Sequence, residues 1–259
     1  MNNHEIIGLN LKLKPHKYLG EYVGYDNFPR QLSRKRGLNN DLVASVESVI
    51  YKHLGFDRNS VTLVAPSAGL AAAEILFFGD WWKDQSKYET EKEKNLEMLW
   101  YQPMHFSLFL ASLLHRWDDL RKLASWCFDD HADDYFGPIG KEEPYVVMLF
   151  AEHFGGTKLI RSAELRAQVE GCRRKRPKLL LSLLDSLIAH DHDQFQDSLK
   201  QILARFSKLC PQSDIGNLWE VVDLVTSTFH NVGVHMIGLE EPELTTKLQG
   251  HLVTPHSIQ

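Results

Sequence analysis

Two short stretches concentrate side chains able to ligate a metal ion or move a proton. His190-Asp191-His192-Asp193 repeats the His-Asp dipeptide that helical metal-dependent phosphohydrolases combine with a distant His and Asp. Imidazole and carboxylate in that pairing would hold iron, manganese or zinc. Asp129-Asp130-His131-Ala132-Asp133-Asp134 gathers four carboxylates and an imidazole within six residues, a set of oxygen and nitrogen donors for a divalent ion. Counted from Asp129, the sixth and twelfth positions are Asp134 and Gly140, where an EF-hand calcium loop requires Gly and Glu, so that pattern fails. Aspartates in loops between helices also serve as N-caps, and capping alone accounts for Asp191 and Asp193.

The other catalytic signatures are missing from the sequence. It has no GxxxxGK[ST] phosphate loop, no GxGxxG and no GxSxG elbow, and Glu152-His153, His105 and His115 do not form ExxH or HExxH. Cys172 precedes Arg173-Arg174-Lys175-Arg176, whose charge would favour a thiolate. No base or orienting group accompanies it, so it is read as a surface thiol. The same basic run, continued by Lys178, has no interleaved aromatic for base stacking and precedes the helix-opening Pro177, so a solvated linker is expected.

Composition narrows the classes further. With 29 Lys and Arg against 34 Asp and Glu the net charge is −5, which argues against a general nucleic-acid or anionic-membrane binder and is weakly compatible with a basic partner. Three widely spaced cysteines, Cys127, Cys172 and Cys210, make no disulfide framework and no zinc knuckle, and no cofactor is expected. The opening residues lack a basic then apolar signal pattern, so a cytoplasmic home is expected. Residues 61–79 come nearest to a membrane span, but Pro66, Gly69 and Glu74 interrupt them. A partner would find acidic and aromatic groups side by side: Trp81 and Trp82 beside the charged stretch 83–94, and Asp129, Asp130, Asp133, Asp134 and Tyr135. The paired tryptophans equally fit a homodimer interface.

The elements that must carry these groups are helices. Apolar residues recur at spacings of three and four at Leu42, Val43, Val46, Val49, Ile50 and Leu54, predicting a helix from a cap at Asn39–Asp41 to Gly55. Residues 61–78, rich in Ala and Leu, are expected to form the central and most buried helix. Pro103 opens a helix through Arg116, and Asp118 or Asp119 caps the next, making an antiparallel hairpin. Further helices are predicted from Glu142 to Gly155, from Thr157 to Val169, and from Ser213 through Phe229. The clearest hairpin joins residues 178–190 and 195–209, with Asp191 or Asp193 as the cap between them. No stretch shows sustained period-two alternation, so no substantial sheet is expected. The predicted architecture is all-α, an irregular bundle or array of antiparallel hairpins with eight or nine helices. Residues 1–38 are read as a mostly irregular N-terminal arm and 39–259 as a single domain, with an internal boundary placed near 83–95.

One family carries several of these features. The segment from Leu99 to Ala111, LWYQPMHFSLFLA, followed by Arg116-Trp117-Asp118-Asp119-Leu120, resembles the all-α immunity proteins of bacterial polymorphic-toxin systems, immunity protein 49 in particular. The segment from Leu180 to Phe195, LLLSLLDSLIAHDHDQF together with Leu179, is similar to their later hairpin. The resemblance covers roughly residues 40–255. It implies a non-catalytic protein that neutralises a cognate toxin by stoichiometric binding, with no catalytic residues to carry over. The alternative expected from the residues themselves is a helical metal-dependent hydrolase built on His190–Asp193.

Overall fold

The structure, a computed structural model, describes residues 30–55, 64–79, 101–126, 142–210 and 221–258. Among these the chain forms helices and no strand: α1 (Arg30–Leu54), α2 (Pro66–Phe78), α3 (Tyr101–Leu113), α4 (Trp117–Ala124), α5 (Glu142–Gly155), α6 (Ser162–Gly171), α7 (Lys175–Ala189), α8 (His192–Leu209), α9 (Leu224–Asn231) and a single turn α10 (Thr246–Gln249). A π-helical turn (Val232–Ile237) continues α9, and a 3-10 turn (Pro255–Ile258) ends the described chain. The all-α class is as the sequence predicts.

Neighbours in sequence pack as neighbours in space: α1 on α2, α3 on α4, α5 on α6 and α7 on α8. Further contacts join α4 to α5, α5 to α7, and α9 to α3, so one continuous hydrophobic cluster runs from Leu42 to Val253. Helices on both sides of residues 83–95 contribute to this cluster; the stretch itself lies outside the described residues.

Helix ends depart from the apolar pattern in instructive ways. Helix α1 starts at Arg30, nine residues before the expected cap at Asn39. The preceding RQLSRKR is poor in apolar residues but rich in good helix formers, so propensity carries the helix beyond its apolar stripe. Its other end is as expected, with Gly55 taking φ 77° just past Leu54. Helix α4 starts at Trp117 with Arg116 at the cap position, so Asp118 and Asp119 occupy the first turn instead of capping. There they still favour the positive end of the helix dipole. Helix α6 begins at Ser162, five residues after the expected Thr157.

The expectation of a central, most buried helix at 61–78 is corrected. In α2 the buried residues are Gly69, Leu70, Ala72, Ala73, Leu76 and Phe77, whereas Ile75 and Phe78 stay exposed. The most buried helix is α9, in which all eight residues are buried although its sequence is LVTSTFHN. Two of its hydroxyls bond back to the backbone: Ser227 Oγ donates to the Asp223 carbonyl at 2.7 Å and Thr228 Oγ1 to that of Leu224 at 2.9 Å. The ring of Phe229 stacks on Phe150 of α5 at 4.7 Å.

Close helix approach is set by small residues. A Cβ at Gly155, the end of α5, would lie 2.4 Å from the Ala124 backbone at the end of α4. Ala124 is almost fully buried at that contact, as is Ala111 within α3.

Candidate functional site

The His190–Asp193 tetrad forms the turn between α7 and α8. His190 ends α7 in the left-handed conformation, φ 54°, and the Asp191 carboxylate accepts the Gln194 backbone N–H at 3.0 Å as the N-cap of α8. Asp193 lies in the first turn of α8, and His192 Nδ1 accepts the Glu240 backbone N–H at 3.2 Å. All four residues are exposed. Among the described residues no three His, Cys, Asp or Glu side chains converge closely enough to hold a metal ion. The tetrad therefore gains no distant ligand there, and capping describes its geometry. Trp81, Trp82, Asp129, Asp130, Asp133, Asp134 and Tyr135 lie outside the described residues.

A groove between α2 and α4 opens three residues before Trp81. Leu70, Ala71, Phe78 and Leu123 form its apolar floor, and Glu74, Arg116, Asp119 and Lys122 rim it. The rim is tied by two ion pairs, Lys122 with Glu74 and Arg116 with Asp119 at 2.8 Å. The Lys122 ammonium also lies 5.4 Å from the centre of the Phe78 ring.

Buried ionic chemistry sits at the N-termini of α5, α7 and α9. The Arg176 guanidinium donates to both Asp223 oxygens, at 2.6 and 2.9 Å, and to both Glu143 oxygens, at 3.1 and 3.0 Å. Asp223 also caps α9 by accepting the Thr226 backbone N–H at 3.1 Å. Burial opposes ionisation of Asp223, yet the Arg176 charge and hydrogen bonds prevail and hold its carboxyl below the usual range. Burial likewise works against the Arg176 charge, and the two carboxylates raise its pKa well above the ordinary value. Beside them burial lowers the His105 imidazole to about 4, although Asp223 and the Leu224 backbone favour its protonated form. The doubly bidentate pattern braces three helices, and every polar atom of the Arg176 fork is turned inward to it.

A histidine cluster surrounds the π turn and is invisible to motif searching. His235, on that turn, has its ring 4.7 Å from His115, 6.5 Å from His230 and 6.1 Å from His256. His115 sits between α3 and α4 with φ 55°, and His230 Nε2 bonds Glu241 Oε1 at 2.9 Å. Burial, then the neighbouring His115 and His230, lower the pKa of His235. These residues come from four segments spread over 140 positions of sequence. The one legible signal is His230-Asn231 and His235 within the stretch TFHNVGVH at 228–235, polar groups set among apolar ones.

Comparison with protein-family models, with curated proteins and with solved structures finds no match to this chain. No described helix is long and apolar enough to cross a membrane.

Proposed function

We propose that this chain is a non-catalytic binding protein, an immunity protein that neutralises a cognate bacterial toxin by one-to-one protein association. The observation that supports the reading is that, among the described residues, the densest sets of charged groups are tied into the scaffold. Asp191 caps a helix, and Asp223, Glu143 and Arg176 saturate one another. What is left outward is contact surface, represented by the apolar-floored, charge-rimmed groove of α2 and α4.

Physical economy favours this role. A braced helical frame loses little conformational entropy on docking. A net charge of −5 accelerates encounter with a basic partner such as a nucleic-acid-cleaving toxin, and that acceleration is screened by salt. The resemblance of residues 99–120 and 179–195 to all-α immunity proteins points the same way.

The test is a pull-down with the intact chain from its source organism at low and at physiological salt, with mass spectrometry of the bound chains. The reading expects one partner, at one-to-one stoichiometry, that carries a toxin domain and loses its toxicity when bound. Failure to bind such a partner, together with tightly held stoichiometric metal, overturns it in favour of hydrolysis.

A further inference from the structure

Residues 238–258 wrap the end of the helical body with little secondary structure of their own, only α10 and the terminal 3-10 turn. Cross-contacts must therefore hold them in place. Leu239, Leu252 and Val253 are apolar pegs, fully or almost fully buried. The Val253 N–H donates to Ser227 Oγ at 2.9 Å, and Asn231 Nδ2 donates to the Val253 carbonyl at 3.3 Å.

The Asp223 N–H donates to the His251 carbonyl at 2.9 Å, and imidazoles supply further seats across the seam. His53 of α1 bonds the Gly250 carbonyl at 2.9 Å, and His251, next in the chain, bonds the Val221 carbonyl through Nδ1 at 2.7 Å. At the other end His256 of the wrapping segment packs on His235 of the π turn. His235 Nε2 and His251 Nε2 are buried with no hydrogen-bond partner among the described residues. A proton added at either nitrogen would thus create a buried cationic donor with no acceptor.

The surroundings offer little compensation. Around His251 stand His53, Lys247, the Phe206 ring at 5.5 Å and Asp223, which Arg176 already engages. Around His235 stand His115, His230 and His256, with Glu241 as the one facing carboxylate. Glu241 is bonded to His230, and that hydrogen bond holds the Glu241 carboxyl below its usual range. The start of the segment therefore stays attached in acid, and its later part rests on the imidazole seats.

We propose that residues 243–258 are an acid-released strap, which peels from the helical body beyond an attachment at Glu241 when the imidazoles that seat it, His53, His235 and His251, become charged. Burial is the first cause that lowers the pKa of His53, His235 and His251 in the folded chain. Their neutral seats thus hold fully above the ordinary histidine value near 6.5. They fail as pH falls from there towards the lowered folded values.

Amide hydrogen exchange of the full chain at pH 7.5, 6.5 and 5.5, corrected for the intrinsic chemical rate, reads the release directly. Amides of residues 250–253 are expected to lose at least about tenfold protection between pH 7.5 and 5.5 while those of residues 199–203 in α8 keep theirs. Strap amides that keep their protection at pH 5.5, or lose it in step with α8, overturn the proposal. The double variant His235→Gln, His251→Asn retains amide donors in place of the rings. If folded, it is expected to show at most a third of the wild-type change with pH, and an unaltered pH profile counts against the assignment.

Discussion

The hairpin α7–α8 and the assembly of α9, the π turn and the wrapping segment share the same core but are built on opposite rules. In the hairpin, Leu180, Leu183, Leu184, Leu187, Phe195, Leu199, Ile202 and Leu203 face inward, and beyond Arg176 at the start of α7 the charges are at least partly exposed. Its ion pairs, such as Arg166 with Asp185 from the adjoining helix, are partly exposed. In the α9 region Asp223, Thr226, Ser227, Thr228, His230, Asn231 and His251 are buried and must satisfy one another. Area burial stabilises the first region and is tolerant of single changes in polar residues. The second depends on paired polar groups, where removing one partner leaves the other desolvated.

The sharpest contrast comes from deleting one carboxylate in each region. Asp223→Ala leaves Arg176 with Glu143 as its remaining carboxylate and uncaps α9, and is expected to cost about 2–4 kcal/mol in urea unfolding. Asp185→Ala removes a partner of the half-exposed Arg166 and is expected to stay below about 1 kcal/mol. Equal losses at the two sites would erase the distinction.

Next in size is an acid effect centred on His105. Its folded pKa of about 4 lies below the ordinary 6.5, so the unfolded chain binds the extra proton first. The stability tied to the neutral ring is complete above 6.5 and drains away as pH falls towards 4. The wild-type chain should lose on the order of 2–3 kcal/mol more than His105→Leu between pH 7.5 and 4.5 in paired urea titrations. Parallel pH profiles for the two proteins would refute this account of His105.

A packing test and a capping test complete the series. Gly155→Ala drives a methyl into the Ala124 backbone and is expected to cost about 1–3 kcal/mol by thermal or urea unfolding, since backbone cannot step aside as a flexible side chain can. Asp191→Ala removes the side-chain cap of α8 and is expected to cost about 1 kcal/mol. A much larger loss at Asp191 would mean that the turn does more than cap.

These contrasts also explain what was legible in the residues. The hairpin was readable because its period of three to four and its Asp191 cap are local signals, set within one turn of helix. The α9 region was not, since the carbonyls and imidazoles that satisfy Thr228, His230 and Asn231 come from tertiary neighbours as well as from the helix. A Leu- and Ala-rich sequence made α2 look central, yet Ser67, Ala71, Glu74 and Phe78 line an open groove. Small apolar residues mark a helix without marking which of its faces is covered. The candidate site was legible only as a turn: His190–Asp193 was found by type and spacing, but the convergence of His115, His230, His235 and His256 depends on a fold that no spacing encodes. The acidic and tryptophan patches read as partner contacts lie outside the described residues.

Stoichiometry tests the central claim most directly. A fixed amount of the cognate toxin, identified by capture, is assayed for its own activity while the purified chain is added in steps from far below to above equimolar. The account predicts a linear loss of toxin activity that ends at one chain per toxin, unchanged by prior treatment of the chain with a metal chelator. Complete inactivation by a small fraction of an equivalent, abolished by the chelator, would contradict it and make the chain an enzyme.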